Sequence, residues 1–72
     1  MNNSHCIPLL KKIGATVKKH RKMRNLSQFE LGLEVGKSAN QIGRIERGES
    51  NPTIITLFSL ANFFDIELKE FF

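Results

Sequence analysis

The sequence predicts an all-α fold, and three observations carry the prediction. Apolar residues return at three- and four-residue steps through successive segments, as they do on the buried stripe of a helix. The segments are bracketed by start and stop residues, with Ser27, Ser38 and Thr53 before them and Gly36 and Gly48 after. Hydrophobic residues make up 40% of the chain, with six Phe and neither Trp nor Tyr; in 72 residues this supports one economical core and excludes a second domain.

Met1 to His5 is polar, so residues 1–6 are expected to be a flexible lead-in and residues 7–72 the domain. The first helix is expected from Ile7 or Pro8, since proline is tolerated in a first turn. Leu10, Ile13, Val17, Arg21 and Arg24 recur at helical steps to about Arg24, with Lys11, Lys18, Lys19 and Lys22 outward. Asn25 interrupts the pattern. Ser27 followed by Glu30 is a capping box: the serine oxygen accepts a first-turn amide while the glutamate reaches back. A second helix therefore starts at Gln28, with Leu31 and Val35 inward and Phe29 and Leu33 at the margins. It ends at Gly36, where a left-handed residue is wanted.

Ser38 caps a third helix, whose Ile42 and Ile45 face inward and which Gly48 closes after Arg47. Two short helices joined through a glycine-containing turn form a helix-turn-helix. Asn51-Pro52 forces extended backbone, and Thr53 then caps a fourth helix with Ile54, Leu57, Leu60, Ala61 and Phe64 on one side. Asp65 to Glu67 reads as a turn. Leu68 to Phe72 reads as one last helical turn that folds Leu68 and Phe71 or Phe72 back.

The net charge of +4 hides an asymmetry: residues 1 to 48 hold ten Lys/Arg against three acids, and residues 49 to 72 hold one against four. A basic half of this kind attracts nucleic acid or anionic membrane, unless it is simply a solvated lysine-rich face. The apolar stripe of the first helix is needed for the core of so small a domain, which disfavours the membrane. The lone Cys6 has no disulfide partner and fits a reducing cytoplasm, and Ile7 to Leu10 is too short for a signal peptide or a span. Two histidines and one cysteine provide no spaced nucleophile and base and no metal cluster, so no enzyme, cofactor or metal site is expected.

The run LSQFELGLEVGKSANQIGRIERGESNPTIITLFSLANFFDIELKEFF resembles the phage-repressor, Cro-like (XRE-type) helix-turn-helix family, and the similarity extends from about Ile13 to Phe72. Its marks are Leu26-Ser27-Gln28, Leu31, Val35-Gly36, Ser38, Ile42, Ile45-Glu46-Arg47-Gly48, Asn51-Pro52, and Leu57 with Ala61. The resemblance implies a compact five-helix, lambda-repressor-like domain. It also implies a sequence-specific transcriptional regulator that lays its third helix, about residues 38–47, in the major groove of double-stranded DNA.

Matched position by position, the base-contacting residues would be Ala39, Asn40, Gly43 and Arg44. Arginine suits guanine, asparagine suits adenine, and alanine can meet a thymine methyl. Phosphate contacts would fall to Gln28, Lys37, Ser38, Arg47, Ser50 and Asn51, which position the protein without reading sequence. Glu46 matches a family glutamate that pairs with a late first-helix arginine, here Arg21, as a structural ion pair. His20 stands where relatives often carry leucine and is expected to be a satisfied, partly buried histidine.

Such domains usually bind two half-sites as dimers. Ile55 and Phe63 lie outside the core arc of the fourth helix, and Phe71 or Phe72 adds apolar surface, so a homodimer through these residues is expected. The competing reading is a protein-interaction or antitoxin module of the same fold, whose main partner is a protein encoded nearby. The size resembles restriction-modification controllers, phage and plasmid repressors, and antitoxins alike.

Overall fold

The computed structural model describes residues 4–72 and contains four α-helices: α1 (Ile7–Met23), α2 (Gln28–Val35), α3 (Ala39–Glu46) and α4 (Ile54–Phe64). Single 3-10 turns, Ser4–Cys6 and Leu68–Phe71, stand at the two ends of this series. Residues 1–3 of the expected lead-in lie outside the described residues.

Helix starts are fixed by side chains that take up amides left without partners in the first turn. Ser27 Oγ accepts from the Glu30 amide at 3.0 Å while Glu30 Oε1 accepts from the Ser27 amide at 2.8 Å. The same reciprocal box recurs at α3, where Ser38 Oγ accepts from the Gln41 amide at 3.1 Å and Gln41 Oε1 accepts from the Ser38 amide at 2.8 Å. Thr53 Oγ1 accepts from the Thr56 amide at 3.1 Å to open α4. Each helix then stops at or beside a left-handed residue: Asn25, Gly36, Gly48 and Asp65 all have φ between 56° and 72°. Asparagine and aspartate tolerate this region better than other non-glycine residues.

Ile13 and Val17 of α1, Leu31 of α2, Ile42 and Ile45 of α3, and Leu57, Leu60, Ala61 and Phe64 of α4 form one buried core. Phe71 completes it. Two glycines let backbones touch. A Cβ on Gly14 of α1 would lie 2.3 Å from the Ile45 carbonyl oxygen, and one on Gly32 of α2 would lie 2.2 Å from that of Lys37. Such contacts are closer than any side chain allows, so α1 packs directly on the end of α3, and the α2–α3 turn folds directly onto α2.

Four expectations are corrected. The fifth helix is a single 3-10 turn, because the four residues Leu68–Phe71 are too few to build an i to i−4 ladder. That turn repeats every three residues and so puts Leu68 and Phe71 on one side, which buries Phe71 completely and leaves Phe72 exposed. Phe71 therefore belongs to the core and not to a dimer surface. Phe63 is half-buried against the core, 5.6 Å from the Phe64 ring between centroids, and contributes little outward surface. Ile54 is exposed: at the first position of α4 its side chain leans back past the helix start, away from the core.

The two capping boxes differ in one atom type, a carboxylate at α2 and an amide at α3. Hydrogen bonds from Ser27, backbone first and then hydroxyl, hold the Glu30 carboxyl below its ordinary 4.5. Because the folded value is depressed, the stabilisation is fully present above that ordinary value and is lost as pH falls through the folded one. Amide exchange followed by NMR should show the first turn of α2 losing protection on acidification while that of α3 does not, and Glu30→Gln should abolish the difference.

Candidate nucleic-acid interface

The geometry of α3 is set from underneath. Ile42 and Ile45 anchor it in the core, and the opposite side presents Asn40, Gln41 and Arg44 to solvent, with Ala39 half-buried at its start. Lys37, Gln41, Arg44, Ser50 and Asn51, together with Pro52 and Thr53, line a shallow cleft of about 200 Å³ between α3 and the start of α4. The expected base contacts Asn40 and Arg44 and the expected phosphate contacts Lys37, Ser50 and Asn51 thus share one side of the molecule. Ser50 and Lys37 are half-buried, Asn51 exposed.

Beneath α3 lies a buried ion pair. Arg21 Nε donates to Glu46 Oε2 at 2.6 Å and Arg21 Nη2 to Glu46 Oε1 at 3.1 Å, a two-pronged geometry that matches the guanidinium fork to the carboxylate. Arg21 Nη1 also donates to the Leu26 carbonyl at 2.8 Å, so one side chain ties α1 to both the α1–α2 loop and α3. The hydrogen bond to Glu46 raises the Arg21 guanidinium above its ordinary value in spite of burial. Glu46 Oε1 accepts a further hydrogen bond, from Gln28 Nε2 at 3.1 Å. Gln28 is therefore half-buried and tethered across α3.

Arg47 is exposed and pairs with Glu49, Nε to Oε2 at 3.0 Å. Their hydrogen bond lifts the Arg47 guanidinium and holds the Glu49 carboxyl below its ordinary value. Ser38 spends its amide and one acceptor position of its hydroxyl on the capping box and stays exposed, its O–H still able to donate.

Gly43 requires a correction. It is buried beneath the side chains of Gln28 and Arg47, so it does not offer its backbone to a base edge as expected from its position. Gln41 is the polar residue that the sequence reading passed over. Ser38 to Gln41 repeats the spacing of Ser27 to Glu30, a signal that was available, because glutamine closes the same box as glutamate. With its oxygen held by the Ser38 amide, Gln41 has its amide nitrogen free to donate at the cleft wall.

His20 departs from expectation as well. Its ring stacks on Phe64 at 5.3 Å, and Nε2 lies 3.8 Å from Glu70, but the buried Nδ1 has no hydrogen-bond partner. Among the described residues no group of three or more His, Cys, Asp or Glu could hold a metal ion, and no helix is long and apolar enough to cross a membrane.

A capped short helix presented over a tethered partner helix defines the helix-turn-helix class of domain. The HTH_3 helix-turn-helix family model matches residues 17–71, and the chain belongs to that family, the one its sequence motifs resemble. It is 32% identical over 56 residues to an uncharacterized HTH-type transcriptional regulator of Methanocaldococcus jannaschii, spanning 78% of this chain and 85% of that protein. Among solved structures it is similar to the restriction-modification controller protein C.AhdI from Aeromonas hydrophila, with 33% identity, a TM-score of 0.80, and 88% of this chain and 96% of that one covered. An HTH_3 family transcriptional regulator from Vibrio cholerae matches at 36% identity and a TM-score of 0.81, over 92% of this chain but only 37% of that longer one.

Removing one partner of a buried pair leaves the other charged and unsatisfied. Arg21→Met or Glu46→Leu alone should therefore lower unfolding free energy by about 3–5 kcal/mol in urea titrations, and the double replacement should recover most of the loss.

Proposed function

We propose that this chain is a sequence-specific, double-stranded-DNA-binding transcriptional regulator that inserts α3 into the major groove. The observation that carries the reading is the charge of α3: its exposed side offers Asn40, Gln41 and Arg44, it has no acid in its first turn, and its one acid, Glu46, is buried against Arg21. A helix N-terminus free of carboxylates suits the approach of phosphate. Family membership and the names carried by the relatives point the same way.

Arg44 is assigned to a base pair and Lys37 to the backbone. Selection of duplexes from a random pool, followed by titration at two salt concentrations, tests the assignment. Arg44→Ala should flatten the preference at one base pair, a loss of about 1–3 kcal/mol of discrimination. Lys37→Ala should weaken all duplexes alike and reduce the salt slope by about one. A wild-type protein that binds no duplex would refute the function.

A single α3 reads few base pairs, and a homodimer on two half-sites is part of the proposal. Ile55, Phe58 and Phe72 are 71%, 61% and 49% exposed and supply the apolar surface for it. Phe58, one helical turn beyond Ile54 and Ile55, takes the place of the buried Phe71. Light scattering at micromolar concentration should give a dimer mass for the wild type and a monomer mass for Phe58→Glu.

The second reading, a module whose main partner is a protein, is favoured by Phe29 and Leu33, an i, i+4 apolar pair that stands exposed on α2. DNA titration separates the two: the module reading requires regulation that persists in variants unable to bind duplex.

A further inference from the structure

We propose that Gly43 is a positioning residue of the DNA clamp: its missing side chain leaves the seat on which Gln28 and Arg47 lie across α3. The inference rests on the DNA-binding reading and goes beyond it by giving this glycine a role that the groove-facing assignment did not.

Glycine is a poor choice inside a helix, and Gly43 sits in the middle of α3, so something must offset the weakened helix. The fold does not require it. At Gly14 and Gly32 an added Cβ would run into backbone, the Ile45 and Lys37 carbonyl oxygens at 2.3 and 2.2 Å. At Gly43 its three nearest neighbours would be the far ends of two flexible side chains: Arg47 Nη1 at 3.0 Å, and Gln28 Nε2 and Oε1 both at 3.3 Å. An alanine is therefore absorbed by displacing those two groups, and the helices keep their places. Gly43 is nonetheless buried, because Gln28 and Arg47 cover it.

Each covering group is also held from its other side. Gln28 Nε2 donates to Glu46 Oε1 at 3.1 Å, and Arg47 Nε donates to Glu49 Oε2 at 3.0 Å. Gln28 comes from the start of α2 and Arg47 from the end of α3, so the seat brings together phosphate-contact candidates from both helices of the motif. Seated over Gly43 and each hydrogen-bonded on its other side, the two are already placed when a phosphate arrives, which is where preorganisation raises affinity. An alanine obliges both side chains to shift by a few tenths of an ångström, which loosens the hold of the Gln28 amide on Glu46.

Gly43→Ala tests the proposal with three readings. The thermal midpoint should fall no further than that of Gln28→Ala, since alanine is the better helix former and only the hold of Gln28 on Glu46 is weakened. Affinity for every duplex should fall about tenfold, with the salt slope reduced by about one, the share of the Arg47 cation, since the Gln28 amide is neutral. In ¹⁵N-correlated NMR spectra of the free protein, the Gln28 side-chain amide signal should move.

With Gln28 already replaced by alanine, Gly43→Ala should cost less affinity than it does in the wild type. A midpoint below that of Gln28→Ala would mean that the fold itself demands the glycine and would overturn the proposal. Unchanged affinity, or an unmoved Gln28 signal, would overturn it equally. If the wild type binds no duplex, the DNA reading falls by itself, and the seat stands or falls on the Gln28 signal alone.

Discussion

The Arg21–Glu46 pair is the interaction on which the rest of this domain depends. On the proposed DNA-binding reading a carboxylate directly under α3 would repel phosphate, and a guanidinium buried alone would destabilise the fold; joined at 2.6 Å, each removes the other's penalty. The pair also fixes orientation. Because its two prongs are planar and the Arg21 Nη1 reaches the Leu26 carbonyl, α3 can neither roll nor slide against α1 without breaking several hydrogen bonds together. Gln28 hangs from the same carboxylate, so the start of α2 takes its place from a residue at the end of α3.

A domain this small cannot separate its helices with bulky layers of side chain. It uses glycine to bring backbones together at Gly14 and Gly32, and it closes the remaining gap with one aromatic ring, Phe71, brought in by a turn of four residues. Arg24 serves the same closure from outside: it lies over the Phe64 ring, 5.1 Å from its centroid, and donates to the Phe64 carbonyl, fastening the end of α1 to the end of α4. Lys12 donates to the Phe72 carbonyl and joins α1 to the last turn in the same way.

The sequence made the helix boundaries legible because caps are local: a serine and a residue three positions on contain the whole interaction. The Arg21–Glu46 partnership came from motif resemblance, since nothing local to either residue announces a contact 25 positions away. What escaped was decided by packing between distant segments. Whether Phe71 or Phe72 turns inward depends on a 3-10 repeat instead of an α repeat, and the choice hinges on α1 and α4 leaving space for one ring. Gly43 was placed in the groove by motif resemblance, and a match of positions does not show that Gln28 of the preceding helix lies on top of it. Exposed Phe58 was missed because apolar residues on a short, strongly hydrophobic helix do not declare which side is covered.

The division of labour along α3 has a consequence for how such a domain can change. Ile42, Ile45 and Glu46 mount the helix, whereas Asn40, Gln41 and Arg44 face away from the core, apart from the reach of Gln41 to its own cap. Residues of the second set can be exchanged with little effect on the first, so on the proposed DNA-binding reading target preference is free to drift while the scaffold stays constant. Gly43 is where that independence ends. It belongs to neither set, and a lineage that filled it with a side chain would have to reseat Gln28 and Arg47.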